Sequence, residues 1–157
     1  VLFRSGTYRL IVAGEWYEKD DALRETLIKN APGAIIHDKY IADKDVAGYF
    51  SAADLVVQPY RAATQSGVVQ TAFHFGRPVI VTGVGGLPEM VQHEEDALVV
   101  APSDERALAM AIDRFFDPDL KVRLSEGAKR ARERFTWKTF TDGLLLPEQG
   151  DHNSESR

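Results

Sequence analysis

The chain has 157 residues, 44% hydrophobic and 27% charged, with no cysteine and a net charge of −5. This is the make-up of one soluble globular domain, long enough to bury about 70% of its unfolded surface without disulfide or metal staples. It excludes a disulfide framework, a thiolate metal site and a cysteine nucleophile, and the acidic balance disfavours nucleic acid or anionic lipid as partners of the whole molecule while leaving room for a local anion pocket.

Residues 1–7 read as an artefact or a linker. Val1-Leu2-Phe3-Arg4-Ser5 is what GTG CTC TTC CGA TCT, the end of a common sequencing adapter, encodes, and no initiator Met precedes it. Short β-branched runs at 8–13, 34–37, 54–57, 78–81 and 97–100 predict five buried strands. Helical periodicity fills the gaps: 20–29 with Leu23, Leu27 and Ile28 on one face, 43–52 with Val46, Tyr49 and Phe50, and 67–75 with Val68, Val69, Ala72 and Phe73. Strand and helix alternate, which predicts parallel strands with right-handed crossovers in an open, doubly wound, Rossmann-like α/β sheet. Ligands of such sheets sit at the carboxyl ends of the strands.

After the fifth strand only helices follow. Ser103-Asp104-Glu105 supplies an N-cap, and Asp117-Pro118-Asp119 breaks that helix and starts another, whose basic face of Lys129, Arg130, Arg132 and Arg134 reads as solvated. A last helix is expected from Phe135-Thr136-Trp137 to about Leu146, then a disordered tail over 147–157. The folded domain is thus placed at 8–146. No run approaches the ~18 apolar residues of a membrane span and no signal-peptide pattern opens the chain, so a cytoplasmic place, membrane-peripheral at most, is expected.

Three loops follow strands and carry unusual residues. Thr64-Gln65-Ser66-Gly67 puts small residues at a helix start, where the amides of Ser66, Gly67 and Val68 and the hydroxyls of Thr64 and Ser66 suit a phosphate; the same residues also fit a plain serine N-cap. Thr82-Gly83-Val84-Gly85-Gly86-Leu87-Pro88-Glu89 is neither a dinucleotide fingerprint nor a P-loop, and reads as a tight turn before an acid-capped short helix. Gly14-Glu15-Trp16-Tyr17 places a carboxylate beside two aromatics, suited either to sugar or base stacking or to covering a sheet edge or domain interface. The four histidines show no metal spacing, so no metal held by protein ligands alone is expected.

Together, Ala52-Ala53-Asp54-Leu55-Val56-Val57-Gln58-Pro59-Tyr60, the Gln65-Ser66-Gly67 helix start, Phe75-Gly76-Arg77-Pro78-Val79-Ile80-Val81-Thr82, Gly85-Gly86-Leu87-Pro88-Glu89 and the run from Asp96 to Leu108 resemble, in order and spacing, one family. It is the C-terminal, donor-binding half of retaining family 4 glycosyltransferases of the GT-B fold. The resemblance covers about residues 8–146. It implies a bacterial-type, hexosyl-type enzyme of glycan biosynthesis. A nucleotide-activated sugar binds as substrate, with no further cofactor, and passes its sugar to a glycan or lipid-linked acceptor held by an N-terminal domain.

Carried onto these residues, the resemblance puts Thr64, Gln65, Ser66, Gly67 and Val68 at the donor diphosphate and sugar, with Gly14 and Glu15 near the sugar. Tyr40 and Ile41 would lie beside the nucleobase, and Gln70 or Thr71 at the ribose. The family's two glutamates around this helix are Ala63 and Thr71 here, and its basic diphosphate clamp falls upstream of Tyr8. The expectation is therefore a fragment incomplete at its N-terminus and inactive alone, its catalytic residues unassigned. Two alternatives are a non-catalytic module that keeps the scaffold, and an epimerase or phosphorylase of the same architecture.

Overall fold

A computed structural model describes residues 8–15, 21–31 and 33–135, with side chains of the first helix from Glu25 onward. The adapter-like start, Trp16, Tyr17, the helix expected after Phe135 and the tail lie outside the described residues. The order is β1 (Ile11–Ala13), α1 (Asp21–Asn30), β2 (Ile35–His37), α2 (Asp43–Ala52), β3 (Val56–Gln58), α3 (Gly67–His74), β4 (Val79–Thr82), β5 (Ala97–Val100), α4 (Glu105–Phe115) and α5 (Pro118–Ala131). Single 3₁₀ turns occur at Pro88–Met90 and Arg132–Phe135.

Every strand pairing is parallel, as the alternation requires. The strands form two sheets, β1-β2 and β3-β4-β5, so the pairing is not continuous across all five. Tyr8, just before β1, bridges toward the larger unit: its ring stacks on Phe116 at 4.3 Å and its hydroxyl donates to Asp113 at 2.8 Å. That hydrogen bond to a carboxylate raises the phenol above its ordinary pKa.

The larger sheet carries the core. All four residues of β4 are buried, and the pleat sends alternate side chains to opposite faces. Val79 and Val81 join Val69, Phe73 and Leu87, whereas Ile80 joins Leu98, Phe115 and Leu124. Helices therefore cover both faces, α3 on one and α4 on the other, which is the doubly wound arrangement.

The caps form where the acids stand. Asp104 accepts the Ala107 amide at 2.8 Å, and Asp117, followed by Pro118 in the first turn, accepts from Asp119 and Leu120 at 3.1 Å. The expected basic face needs a correction, and its Arg132 and Arg134 stand past α5 in the 3₁₀ turn. Lys129 pairs on the surface with Glu126 at 2.8 Å, but Arg134 turns inward, donating to the Asp96 carboxylate at 2.7 Å and lying over the rings of Phe73 and Phe135. Helical position alone suggested solvent; a buried acid 38 residues earlier in the chain decides otherwise.

Candidate functional site

β3 ends on Gln58, a buried amide with 4% exposure, and the chain then loops over Pro59 to Gln65 before α3 starts. Ser66 occupies the N-cap with extended backbone, yet its side chain makes no cap hydrogen bond. Its hydroxyl instead donates to Gln58 Oε1 at 2.8 Å, inside the protein. A serine in this place usually accepts an N–H from the first turn. Here the plain-cap alternative gives way, and the positive end of α3 is left without a side-chain acceptor or a first-turn acid. Gly67 leaves open space in front of it, since a methyl group built there would meet nothing within 4 Å.

The loop after β4 holds the loop after β3 in place. Thr82 donates to the Tyr60 carbonyl at 2.5 Å, and the Gly86 amide to the Thr64 carbonyl at 3.0 Å. Gly85 has φ +51°, and a Cβ on it would stand 1.6 Å from the Ala63 carbonyl oxygen; a Cβ on Gly86 would stand 2.4 Å from that of Thr64. Both glycines are thus required by backbone-on-backbone contact, and Gly85 by its conformation as well. Pro88 then opens the short 3₁₀ turn with Glu89 in its first turn, as the sequence predicts.

Ala63 is half-buried against the core that contains Phe73, whereas Thr64, Gln65 and Gln70 are exposed and Val68 is 38% exposed. Thr71 donates its hydroxyl to the Gly67 carbonyl at 2.8 Å, so only its oxygen lone pairs remain for another partner. The other expected residues lie on the loops after β1 and β2, which His37 ties together. Its carbonyl accepts from the amides of Gly14 (3.1 Å) and Lys39 (3.0 Å), and its ring Nδ1 meets the Tyr49 hydroxyl at 2.5 Å. Glu15 and Tyr40 are exposed beside this hub, and Ile41 is half-buried. Among the described residues no hydrogen bond joins this second group to the Ser66 group.

Four residues that shape these loops were not singled out for a site role by sequence: Gln58, Tyr60, Thr82 and His37. The one local hint was Gln58, a long amide ending a β-branched run just before Pro59.

The family model for glycosyl transferases group 1 matches residues 2–117. The D-inositol 3-phosphate glycosyltransferase of Saccharomonospora viridis is 35% identical over 103 residues, covering 65% of this chain and 24% of that protein. The chain spans about a quarter to a third of the length of the curated relatives it first matches. Sucrose-phosphate synthase from Thermosynechococcus elongatus superposes with a TM-score of 0.70 at 31% identity, over 87% of this chain and 37% of that one. The Anabaena protein Alr3699/HepE, solved with UDP, superposes with a TM-score of 0.74 at 20% identity, over 87% and 38% of the two chains. It has also been solved with UDP-glucose.

Proposed function

The chain belongs to the glycosyl transferases group 1 family, and from that premise we propose that it forms the donor side of a retaining family 4 enzyme, binding a nucleotide-activated sugar at the start of α3. The fold is the Rossmann-like half of a GT-B enzyme. One observation carries the assignment to α3: the Ser66 hydroxyl is committed to Gln58, so the first-turn amides face an open space without a cap. Free N–H groups at a positive helix end suit a diphosphate. They suit its departure even better, because negative charge grows on the leaving oxygen as the glycosidic bond breaks. HepE, of the same fold, takes UDP and UDP-glucose, which supports a nucleotide-sugar as the ligand class.

Around that anchor, Thr64, Gln65, Ser66, Gly67 and Val68 contact diphosphate and sugar, and Gly14 with Glu15 reaches the sugar hydroxyls. Tyr40 and Ile41 flank the base, and Gln70 with Thr71 meets the ribose, Thr71 as an acceptor. The nucleotide-sugar is consumed as substrate and no other cofactor is invoked. The acceptor, a glycan or a lipid-linked sugar, docks on a further domain of the longer enzyme. Among the described residues no helix is long and apolar enough to cross a membrane.

Calorimetry with UDP and UDP-glucose tests the reading. Gly67→Asp places a carboxylate in front of the amides and is expected to abolish binding, whereas Gly67→Ala, which meets no neighbour, is expected to hold or raise stability by up to ~1 kcal/mol while weakening the nucleotide. Binding that neither change affects would move the site elsewhere. A second variant separates the role of Ser66. Gln58→Leu frees its hydroxyl to cap α3, so nucleotide affinity is expected to fall, and Ser66→Ala added to it is expected to recover part of the loss.

A second reading rests on Ala63 and Thr71, which stand where the family has carboxylates: a module that binds donor without turning it over. Nucleotide-sugar binding with no transfer by the full-length protein would select it.

A further inference from the structure

The opposite end of α3 carries a different feature. An α-helix rises ~1.5 Å per residue, so His74 stands about 10 Å along the axis from Gly67. Beyond it, between the α3–β4 turn and the end of α5, lies a cavity of about 310 Å³. Its polar lining comes from His74, Arg77, Lys129 and Arg132 and its apolar lining from Phe73 and Phe75; among the described residues no carboxylate lines it, the nearest being Glu126 on the Lys129 ammonium. In a chain of net charge −5, three permanent cations on one concave surface run against the overall balance.

Position at helix ends accounts for part of this. His74 closes α3 and Lys129 sits in the last turn of α5, where cations meet the negative end of the dipole. Arg77 is different: it follows α3 and precedes β4, in no helix. One of its terminal nitrogens donates to the Ser51 carbonyl at 2.7 Å, which fixes the guanidinium, and its Nε is buried with no hydrogen-bond partner among the described residues. That Nε is closed off from solvent, so what Arg77 brings to the cavity is the charge of a guanidinium held in place by Ser51, for which an anionic oxygen is the best partner.

We propose that this cavity binds a phosphate-bearing anion. Arg77 and Arg132 supply planar donors and Lys129 a point charge. The Lys129 stem packs close to Gly76, with Cγ 3.0 Å from where a Cβ would stand, and its ammonium is shared with Glu126 at 2.8 Å. Phe75 faces the organic part of the ligand, whereas Phe73, fully buried, only backs the wall. The phosphate comes either from a soluble phosphate ester or from a lipid headgroup, and the same residues read both.

The test follows amide signals of the ¹⁵N-labelled full chain during titration with inorganic phosphate, against chloride at equal ionic strength, and sedimentation with phosphatidylcholine vesicles with and without phosphatidylglycerol. Saturable phosphate shifts at residues 74–77 are expected, weakened about tenfold by Arg132→Gln and by Arg77→Gln. Should Arg77→Gln fail to fold, Lys129→Gln, on an exposed side chain, takes its place. Gly67→Asp is expected to leave this binding intact, so failure here and failure of the donor-site reading are told apart. Co-sedimentation with the anionic vesicles that these variants abolish assigns a lipid phosphate; phosphate shifts without it assign a soluble ester. Shifts that chloride reproduces, binding that Arg132→Gln and Lys129→Gln leave unchanged, or neither shifts nor sedimentation would overturn the proposal.

Discussion

Arg134→Met is expected to lower the free energy of unfolding by about 3–5 kcal/mol. Asp96 is 1% exposed, and its two oxygens are served by the Gln92 amide at 2.8 Å and by Arg134 at 2.7 Å. Removing the guanidinium seals in a carboxylate with one remaining donor, which is the costly way to break a buried pair. Methionine replaces much of the stem that covers Phe73 and Phe135 but neither the charge nor the 3.3 Å hydrogen bond to the Met90 carbonyl. The reverse change is milder. Asp96→Asn leaves an arginine whose side chain is a third exposed and can turn to water, at a cost of about 1–2 kcal/mol. Urea unfolding of the two variants checks the asymmetry; equal losses, or an Arg134→Met loss under about 1 kcal/mol, would count against it.

Gly85→Ala is expected to cost about 2–4 kcal/mol and to remove nucleotide binding as well. The new methyl falls on the Ala63 carbonyl oxygen, and φ +51° is a conformation alanine adopts only with strain. Backbone cannot swing aside as a side-chain end does, so the 63–66 segment must shift, and with it the start of α3. Gly83→Ala, whose methyl would find ordinary contacts at 3.6 and 3.7 Å, serves as the control and is expected to change little. Thermal unfolding and UDP calorimetry on the pair decide the matter: a Gly85→Ala protein with unchanged stability and affinity would mean that the two loops are not coupled.

The α/β class, the parallel pairing and most element positions were legible in the sequence because their signals are local. β-branched runs mark strands, a repeat of three to four marks helix faces, and Asp104 and Asp117 stand within three residues of the amides they cap. Even α2 begins and ends where its apolar spacing predicts, at Asp43 and Ala52. What could not be read depends on pairs far apart in the chain. Arg134 reads as part of a solvated basic face and nothing local to Asp96 names a partner, so only the fold brings them together. Ser66 has the local pattern of a cap, and only the end of β3 supplies the rival acceptor that diverts it. The glycine pair announced a turn without announcing what it would lie against. The break between β2-β1 and β3-β4-β5 likewise depends on which strands meet, which periodicity does not encode.

The contact of Gly85 and Gly86 with Ala63 and Thr64 also sets a rule for altering this protein. The turn after β4 acts as a mould on which the loop after β3 is cast. Exchanging one of these loops with a relative, while keeping the other, would set a foreign cast in the native mould. A change of ligand preference made by grafting should therefore move both segments as one cassette, from Gln58 through Gly67 and from Thr82 through Leu87. A change confined to an exposed side chain outside both segments, such as Val68, can be made singly.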